Sequence, residues 1–202
     1  GRMNQPQAHI VDDDEAIRDA LAWLLKSRGL PCTTYDSAET FLAAWTPAMS
    51  GCIVLDMRMT GMSGLDCFDR LHEQASTLPV IFLTGHGDVP LAVATLKKGA
   101  FDFFEKPLND NELASRIEQA MALHADQRAA NAAVDSVKSR ISSLTTREKQ
   151  IMELVLASKL NKVIADELNI SMRTVEVHRA NLFDKMGVKT AVELANLLKP
   201  GR

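Results

Sequence analysis

The sequence predicts an α/β domain with a doubly wound parallel sheet, followed by a smaller all-α domain. Two observations predict the first domain: five short apolar runs that fit buried strands, and an apolar period typical of helices between successive runs. A third observation predicts the second domain, because four late segments each begin with a helix-start signal. With 202 residues, 46% of them hydrophobic, the chain is long enough for two cores.

The strands and helices of the first domain alternate along the chain. Residues 8–11 form the first apolar run, an acidic loop follows, and the next helix extends to Gly29. The other predicted strands are residues 32–35, the run that ends at Asp56, residues 80–84 and residues 101–105. The predicted caps of the four later helices are Ser37, Ser63, Asp88 and Asn109. Right-handed crossovers through these helices would cover both faces of the sheet.

The segment between the two domains is predicted to be a long helix, because residues 114–140 contain neither proline nor glycine. Val134, Val137 and Ile141 have the spacing of a coiled-coil seam, which leaves open a dimer contact or packing against a domain. The expected division of the chain is a first domain at residues 3–122, a helical linker at 123–141 and a second domain at 142–202.

The second domain is expected to be a four-helix arrangement that contains a helix-turn-helix. Three of its helices are predicted to follow the capping residues Thr145, Ser171 and Thr190, and the second helix is predicted to start at Asn161. The third of these helices is expected to end at Gly187. Its inner stripe is expected to consist of Val175, Leu182 and Met186.

The opposite face of that helix is a candidate DNA-binding surface, because the second helix of a helix-turn-helix lies in the major groove. The residues expected on this face are Arg173, Glu176, Val177, Ala180 and Asp184, and those expected on its flanks are Arg179, Asn181 and Lys185. From Ser142 onward there are 10 basic against 7 acidic residues, or +3, whereas residues 1–141 have 13 against 19, or −6. A bundle with a merely polar face, or a domain that binds RNA or protein, is the alternative.

Acidic residues end two strands that adjoin in a doubly wound sheet. Asp12 and Asp13 follow the first strand and Asp56 ends the third, so their side chains should meet at the carboxyl edge, where ligands bind. Carboxylates so close repel each other unless a cation intervenes, and Mg²⁺ prefers oxygen ligands. A solvated acidic loop is the alternative. Thr84 and Lys106 end neighbouring strands and favour an acyl-phosphate site, which needs a nucleophile, a metal and a counter-charge.

Over residues 7–122 the chain resembles the bacterial response-regulator receivers. The matching motifs are Asp12-Asp13, Asp56, Thr84-Gly85-His86-Gly87-Asp88-Val89-Pro90 and Lys106-Pro107. The resemblance implies a flavodoxin-like sheet of order 2-1-3-4-5, and a phosphoryl group transferred to Asp56 from a sensor histidine kinase. The chain would then catalyse only its own phosphoryl transfer and dephosphorylation, and would not be an enzyme in the ordinary sense.

The same resemblance assigns roles around Asp56. Asp13, Asp56 and the carbonyl of Arg58 would hold Mg²⁺, with Asp12 assisting through water. Thr84 and Phe103 would be the switch pair, and a cis Lys106-Pro107 bond would direct Lys106 at the phosphoryl group. Receivers usually carry proline four positions after the acceptor, where this chain has Thr60. That departure concerns the stiffness of the loop and not the chemistry.

The tail resembles the output domain of LuxR-type regulators. The matching motifs are Leu144-Thr145-x-Arg147-Glu148, Asn161-Lys162-x-x-Ala165 and Ser171-x-x-Thr174-Val175-Glu176-Val177-His178-Arg179. They add Lys162 and Thr174 to the expected DNA contacts. Together with the receiver, the chain resembles the FixJ-type transcriptional regulators. This implies dimerisation on phosphorylation through a face that includes Leu91, Val93, Lys97 and Lys98, binding to operator duplex DNA, and RNA polymerase as a further partner.

A haloacid-dehalogenase-like phosphatase is the main alternative function, because it also uses an aspartyl phosphate, Mg²⁺ and a lysine. Its Asp-x-Asp-x-Thr/Val motif fails here, since Asp12-x-Asp14 is followed by Glu15-Ala16 and Arg58 occupies the second position after Asp56. No apolar stretch approaches the roughly 20 residues that cross a bilayer, and the N-terminus lacks the plan of a secretion signal. We therefore expect a cytoplasmic protein that does not associate with membranes.

Overall fold

The computed structural model describes residues 5–199, and the chain divides into two compact units between Gln127 and Arg128. The strands of the first unit are Gln7–Val11 (β1), Cys32–Tyr35 (β2), Gly51–Asp56 (β3), Val80–Thr84 (β4) and Asp102–Glu105 (β5). Its helices are Glu15–Ser27 (α1), Ala38–Ala44 (α2), Gly64–Glu73 (α3), Val89–Lys97 (α4) and the first part of Asp110–Ser142 (α5). A short 3₁₀ turn, His86–Asp88, precedes α4.

The five strands form one parallel sheet of order β2-β1-β3-β4-β5, which confirms the predicted doubly wound fold. The central strand β3 is buried along its whole length, because its side chains alternate between two cores. Ile53 and Leu55 pack on the side of α2 and α3, whereas Cys52 and Val54 pack on the side of α1 and α5. Burial on both faces explains why β3 appears in the sequence as an unbroken apolar run that ends at Asp56.

Most of the predicted helix starts are confirmed. The side chains of Ser37, Ser63 and Asn109 each accept a hydrogen bond from the backbone N–H three residues later. Asp88 is the exception: it occupies the cap position of α4, but its side chain makes no capping hydrogen bond. Its carboxylate instead pairs with Arg58, a partner 30 residues away that no local pattern indicates.

The predicted linker helix and the predicted last helix of the first domain are one continuous element, α5, 33 residues long. Its first half buries Leu113 and Ile117 against the sheet. Of the proposed seam, Val134 is 43% exposed, whereas Ile141 packs on the core of the second unit. The division at residues 122 and 141 stays a prediction, and its outer limits at residue 3 and residue 202 lie outside the described residues.

The second unit contains the four predicted helices, Thr146–Leu156 (α6), Asn161–Leu168 (α7), Met172–Met186 (α8) and Ala191–Leu197 (α9). Thr145 and Glu148 form the predicted capping box, and Ser171 caps α8. Val175, Leu182 and Met186 are fully buried, which confirms the inner stripe of α8. None of the helices within residues 5–199 combines the length and the apolar character needed to cross a membrane.

Candidate phosphoacceptor site and DNA-facing helix

Three carboxylates meet at the carboxyl edge of the sheet, as the strand ends predict. Asp12, Asp13 and Asp56 can each place one oxygen within 4.8 Å of the other two. The parallel pairing of β1 with β3 produces this arrangement, because Val11 lies opposite Leu55 and the next residue of each strand is an aspartate. Asp12 is fully buried and Asp56 is 7% exposed, whereas Asp13 lies at the surface.

Lys106 provides the positive charge of this cluster. Its Nζ donates a hydrogen bond of 3.2 Å to Oδ2 of Asp12 and lies 3.5 Å from Oδ1 of Asp56. Burial lowers the pKa of Lys106, but the charges of Asp56 and Asp12 outweigh it, so the pKa is raised overall. The lysine is therefore a permanent ammonium beside two buried carboxylates. The peptide bond between Lys106 and Pro107 is cis, as the resemblance implies.

Asp56 lies in a setting that disfavours its negative charge. Burial, followed by the charge of Asp12, raises the pKa of Asp56 to about 6. Lys106 and the backbone N–H of Arg58 act in the opposite direction but do not compensate fully. An additional cation beside Asp56 would therefore strongly favour its ionised form.

Thr84 and Phe103, the expected switch pair, lie on the adjacent strands β4 and β5. Thr84 is fully buried and its hydroxyl donates a hydrogen bond of 3.1 Å to the carbonyl of Gly85. Phe103 is half-buried against the same core as α2 and α3. The backbone N–H of Lys106 donates to the carbonyl of Thr84 at 2.8 Å, so the two predicted phosphoryl contacts share one sheet edge.

Side chains from three other elements hold the loop between β3 and α3, and the sequence did not predict these contacts. Arg58 pairs with Asp88, Thr60 donates to Asp13, and the backbone N–H of Met62 donates to Glu39 at 2.6 Å. The partners are 30, 47 and 23 residues apart, beyond the reach of any local pattern. Only the unusual residue at position 60 gave a signal in the sequence.

The predicted DNA-facing residues of α8 are mainly at the surface. The exposed ones are Arg173, Glu176, Val177, Ala180 and Asn181, together with Lys162 on α7. Thr174 is half-buried beside the cap of the helix, where its hydroxyl contacts that of Ser171 at 2.8 Å. Arg179 is also half-buried, because it donates to Asn161 at 3.1 Å and its guanidinium stacks 5.1 Å from the ring of Phe183.

Lys185, a further predicted DNA contact, is exposed on α8 and also binds a buried carboxylate. Its Nζ donates a hydrogen bond of 2.7 Å to Oε1 of Glu148, which is 3% exposed. The hydrogen bond from Lys185, followed by that from the backbone of Thr145, lowers the pKa of Glu148. A buried carboxylate needs a counter-charge, and Lys185 provides it, so its role in DNA binding stays a prediction.

Two family models match the chain. The model described as a response regulator receiver domain matches residues 8–118, and the model of bacterial regulatory proteins of the luxR family matches residues 142–198. The chain belongs to the two-component response regulators with a LuxR-type DNA-binding domain. This response regulator carries both expected parts in the expected order, and neither match supports the alternative of a haloacid-dehalogenase-like phosphatase.

The similarity to known proteins extends over nearly the whole response regulator. It is 48% identical over 191 residues to the C4-dicarboxylate transport transcriptional regulatory protein DctR of Rhodobacter capsulatus, covering 94% of this chain and 97% of DctR. It is 43% identical over 189 residues to the transcriptional regulatory protein FixJ of Bradyrhizobium diazoefficiens, covering 94% of this chain and 92% of FixJ. These relatives confirm the resemblance to FixJ-type regulators.

Solved structures of response regulators agree with the fold. The response regulator StyR superposes with a TM-score of 0.91 at 41% identity, covering 96% of this chain and 98% of StyR. The crystal structure of FixJ-N superposes with a TM-score of 0.54 at 42% identity, covering 58% of this chain and 94% of that chain. The likeness supports the receiver fold that the strand order defines.

Proposed function

We propose that this response regulator is a transcriptional regulator whose activity depends on phosphorylation of Asp56 by a sensor histidine kinase. One observation carries the proposal: Asp56 is buried at a strand end beside Asp12 and Asp13, with the ammonium of Lys106 at 3.5 Å. A carboxylate whose pKa is raised to about 6 has weakly solvated oxygens and remains largely ionised at neutral pH. These are suitable properties for a nucleophile.

The donor set of the cluster fits Mg²⁺. Three carboxylates can place oxygen atoms within 4.8 Å of one another, and a hard cation prefers such ligands. Asp13, Asp56 and the carbonyl of Arg58 would hold the ion, with Asp12 assisting through water. When bound, Mg²⁺ supplies charge neutralisation for the carboxylates and for the phosphoryl oxygens.

In the proposed reaction, a carboxylate oxygen of Asp56 attacks the phosphorus of a phosphohistidine. A phosphorus–oxygen bond forms as the phosphorus–nitrogen bond breaks, and the departing imidazole takes up a proton. Lys106 offers counter-charge to the phosphoryl oxygens, while the buried setting of Asp12 and Asp56 limits access of water. The product is an aspartyl phosphate on this chain.

The phosphoryl group would act by shifting a population of conformations. It adds about 1.5 to 2 negative charges. The hydroxyl of Thr84, which now donates to Gly85, can instead donate to a phosphoryl oxygen, and the half-buried Phe103 can follow into the space it leaves. The face of α4 near this switch exposes Leu91 and Val93, 44% and 43% exposed, and would pair two chains.

Dimerisation would place two DNA-binding domains on one duplex. Two linked domains bind a duplex much more tightly than one domain alone. We propose that α8 enters the major groove and that the contacts to bases and phosphates come from Arg173, Thr174, Glu176, Val177, Arg179, Ala180 and Asn181. Lys162 on α7 would contact a phosphate. RNA polymerase would be the partner at the same promoter.

The test uses the full-length chain with beryllofluoride and Mg²⁺ as a phosphoryl mimic. We expect the mimic to convert monomer to dimer in light-scattering chromatography, and to increase affinity for a duplex selected from a random-sequence pool. Arg173→Ala should weaken that binding and reduce its salt dependence, whereas Lys26→Ala, an exposed change on α1, should not. If Asp56→Asn formed dimers and bound DNA as well as phosphorylated wild type, the proposed coupling would be wrong.

A further inference from the structure

Thr60 lies in the loop between β3 and α3 and contacts a carboxylate of the proposed metal site. Its backbone N–H donates a hydrogen bond of 3.0 Å to Oδ2 of Asp13, and its hydroxyl lies 3.3 Å from the same oxygen. Asp13 and Thr60 belong to different loops, 47 residues apart in the chain. A proline at position 60 would supply neither donor, because it lacks both the N–H and a hydroxyl.

Asp13 differs from the other two carboxylates of the cluster in its freedom to move. Asp12 is fully buried, and its two carboxylate oxygens are bonded to the backbone of Asp14 and to Lys106. Asp56 ends a buried strand. Asp13 is exposed, and repulsion from two neighbouring carboxylates favours rotation of its side chain toward water. The two donors of Thr60 oppose that rotation.

We propose that Thr60 is a positioning residue that holds Asp13 in the geometry required for binding Mg²⁺. This inference rests on the proposed function, since it concerns the metal of the same site. Both donors of Thr60 bind one oxygen, Oδ2, so the other oxygen of Asp13 remains available as a ligand. Hydrogen bonds to a ligating carboxylate fix its orientation before the ion arrives, which lowers the cost of binding.

The loop that carries Thr60 is well anchored without this contact. Arg58 pairs with Asp88 on one side, and the N–H of Met62 donates to Glu39 on the other. Gly61 adopts a φ of 82°, a conformation that turns the chain between these two anchors. A substitution at position 60 that keeps the backbone N–H should therefore leave the loop folded, so that the variant reports on the hydroxyl.

The test measures Mg²⁺ affinity of the full-length chain by titration calorimetry at constant ionic strength. Thr60→Val keeps the shape and the N–H but removes the hydroxyl. We expect it to weaken Mg²⁺ binding by about 3- to 10-fold. Loss of a residue that orients a metal ligand usually weakens binding by about 10- to 100-fold, and the effect should be smaller here because the contact is exposed. Thr60→Ser restores the hydroxyl and should bind Mg²⁺ like wild type. Unfolding midpoints without Mg²⁺ should be equal for all three proteins.

Thr40→Val is the matched control. The hydroxyl of Thr40 is also exposed and also lies 3.3 Å from a carboxylate, that of Asp36, which is not part of the cluster. It should leave Mg²⁺ affinity unchanged. Equal affinity of Thr60→Val and wild type would overturn the positioning role of Thr60, and so would an equal loss in Thr40→Val. If wild type itself bound no Mg²⁺, the metal in the proposed function would fail instead, and the two failures are thus distinguishable.

Discussion

The guanidinium of Arg58 binds both carboxylate oxygens of Asp88, with Nε 2.5 Å from Oδ2 and Nη2 2.8 Å from Oδ1. The pair joins the loop after β3 to the turn before α4. The hydrogen bonds from Arg58 lower the pKa of Asp88, which therefore stays ionised. His86, in the same turn, contacts Glu105 at 2.6 Å, so the turn is held from both sides.

The first prediction concerns the mobility of this turn. Arg58→Ala should increase backbone hydrogen exchange in residues 85–89, because it removes the bidentate pair with Asp88. Arg58→Lys should give an intermediate result, since an ammonium cannot form the two parallel bonds. Arg28→Ala, which removes an exposed arginine bonded to Asn111, is the control. Unchanged exchange in Arg58→Ala would show that the pair does not restrain the turn.

A second prediction concerns the pH dependence of stability, through His9. This residue is 4% exposed on β1, where Nε2 contacts the carbonyl of Ser50 at 3.3 Å and Nδ1 has no hydrogen-bond partner within the described part of the chain. Burial lowers the pKa of His9 from its ordinary value of 6.5, while the bond to Ser50 acts in the opposite direction.

The direction of the pH effect depends on whether the folded or the unfolded state binds the proton more tightly. Below pH 6.5 the unfolded chain protonates this histidine more readily than the folded protein does, so stability falls as the pH drops through and below 6.5. His9→Phe should make the unfolding midpoint of the first unit less sensitive to pH between about 7 and 5. An identical pH profile for His9→Phe and wild type would count against this assignment.

The third prediction concerns the cost of keeping Asp56 ionised. The raised pKa of about 6, against an ordinary 3.8, means that the folded state binds the proton more tightly than the unfolded chain. Stability from this group is present below pH 3.8 and is lost as the pH rises through about 6. Without Mg²⁺ at pH 7.5, Asp56→Asn should therefore raise the free energy of unfolding by about 1 to 3 kcal/mol.

Mg²⁺ should reverse that order, because the ion would stabilise wild type and not the variant, which lacks the central carboxylate. Thermal unfolding of both proteins, with and without Mg²⁺ at pH 7.5 and pH 4.5, tests the two statements together. The difference in unfolding midpoint between wild type and Asp56→Asn should be smaller at pH 4.5 than at pH 7.5. A destabilised Asp56→Asn in the absence of Mg²⁺ would contradict the proposed repulsion within the cluster.

The fourth prediction separates structural from DNA-binding lysines. Lys185→Met removes the counter-charge of the buried Glu148 and should destabilise the second unit by about 1 kcal/mol, a value reduced for the partial exposure of the lysine. Lys162→Met removes an exposed charge on α7 and should weaken DNA binding without lowering stability. Calorimetry and a salt titration of DNA affinity check the two effects. If Lys185→Met weakened DNA binding without lowering stability, Lys185 would be a DNA contact and not a structural counter-charge.

Much of the fold could be predicted because it depends on local signals. The unbroken apolar run that ends at Asp56 identified the central strand, and Thr145 with Glu148 identified the start of α6 before any contact was known. Asp88 occupies the predicted cap position of α4, but its carboxylate makes no capping hydrogen bond because it binds Arg58 instead. A hydrogen bond to a guanidinium competes well with one to a backbone N–H, and the sequence does not show which one forms.

The sequence by itself determined the order of strands and helices, the inner stripe of α8 and the meeting of Asp12, Asp13 and Asp56, since all of these follow from periodicity and from the common edge of parallel strands. Only the tertiary structure decided the partners of the flexible polar side chains. Thr60 donates to Asp13 and Lys185 binds Glu148 because two separate segments fold to within hydrogen-bond distance. Long polar side chains have many possible partners, and local sequence does not restrict the choice.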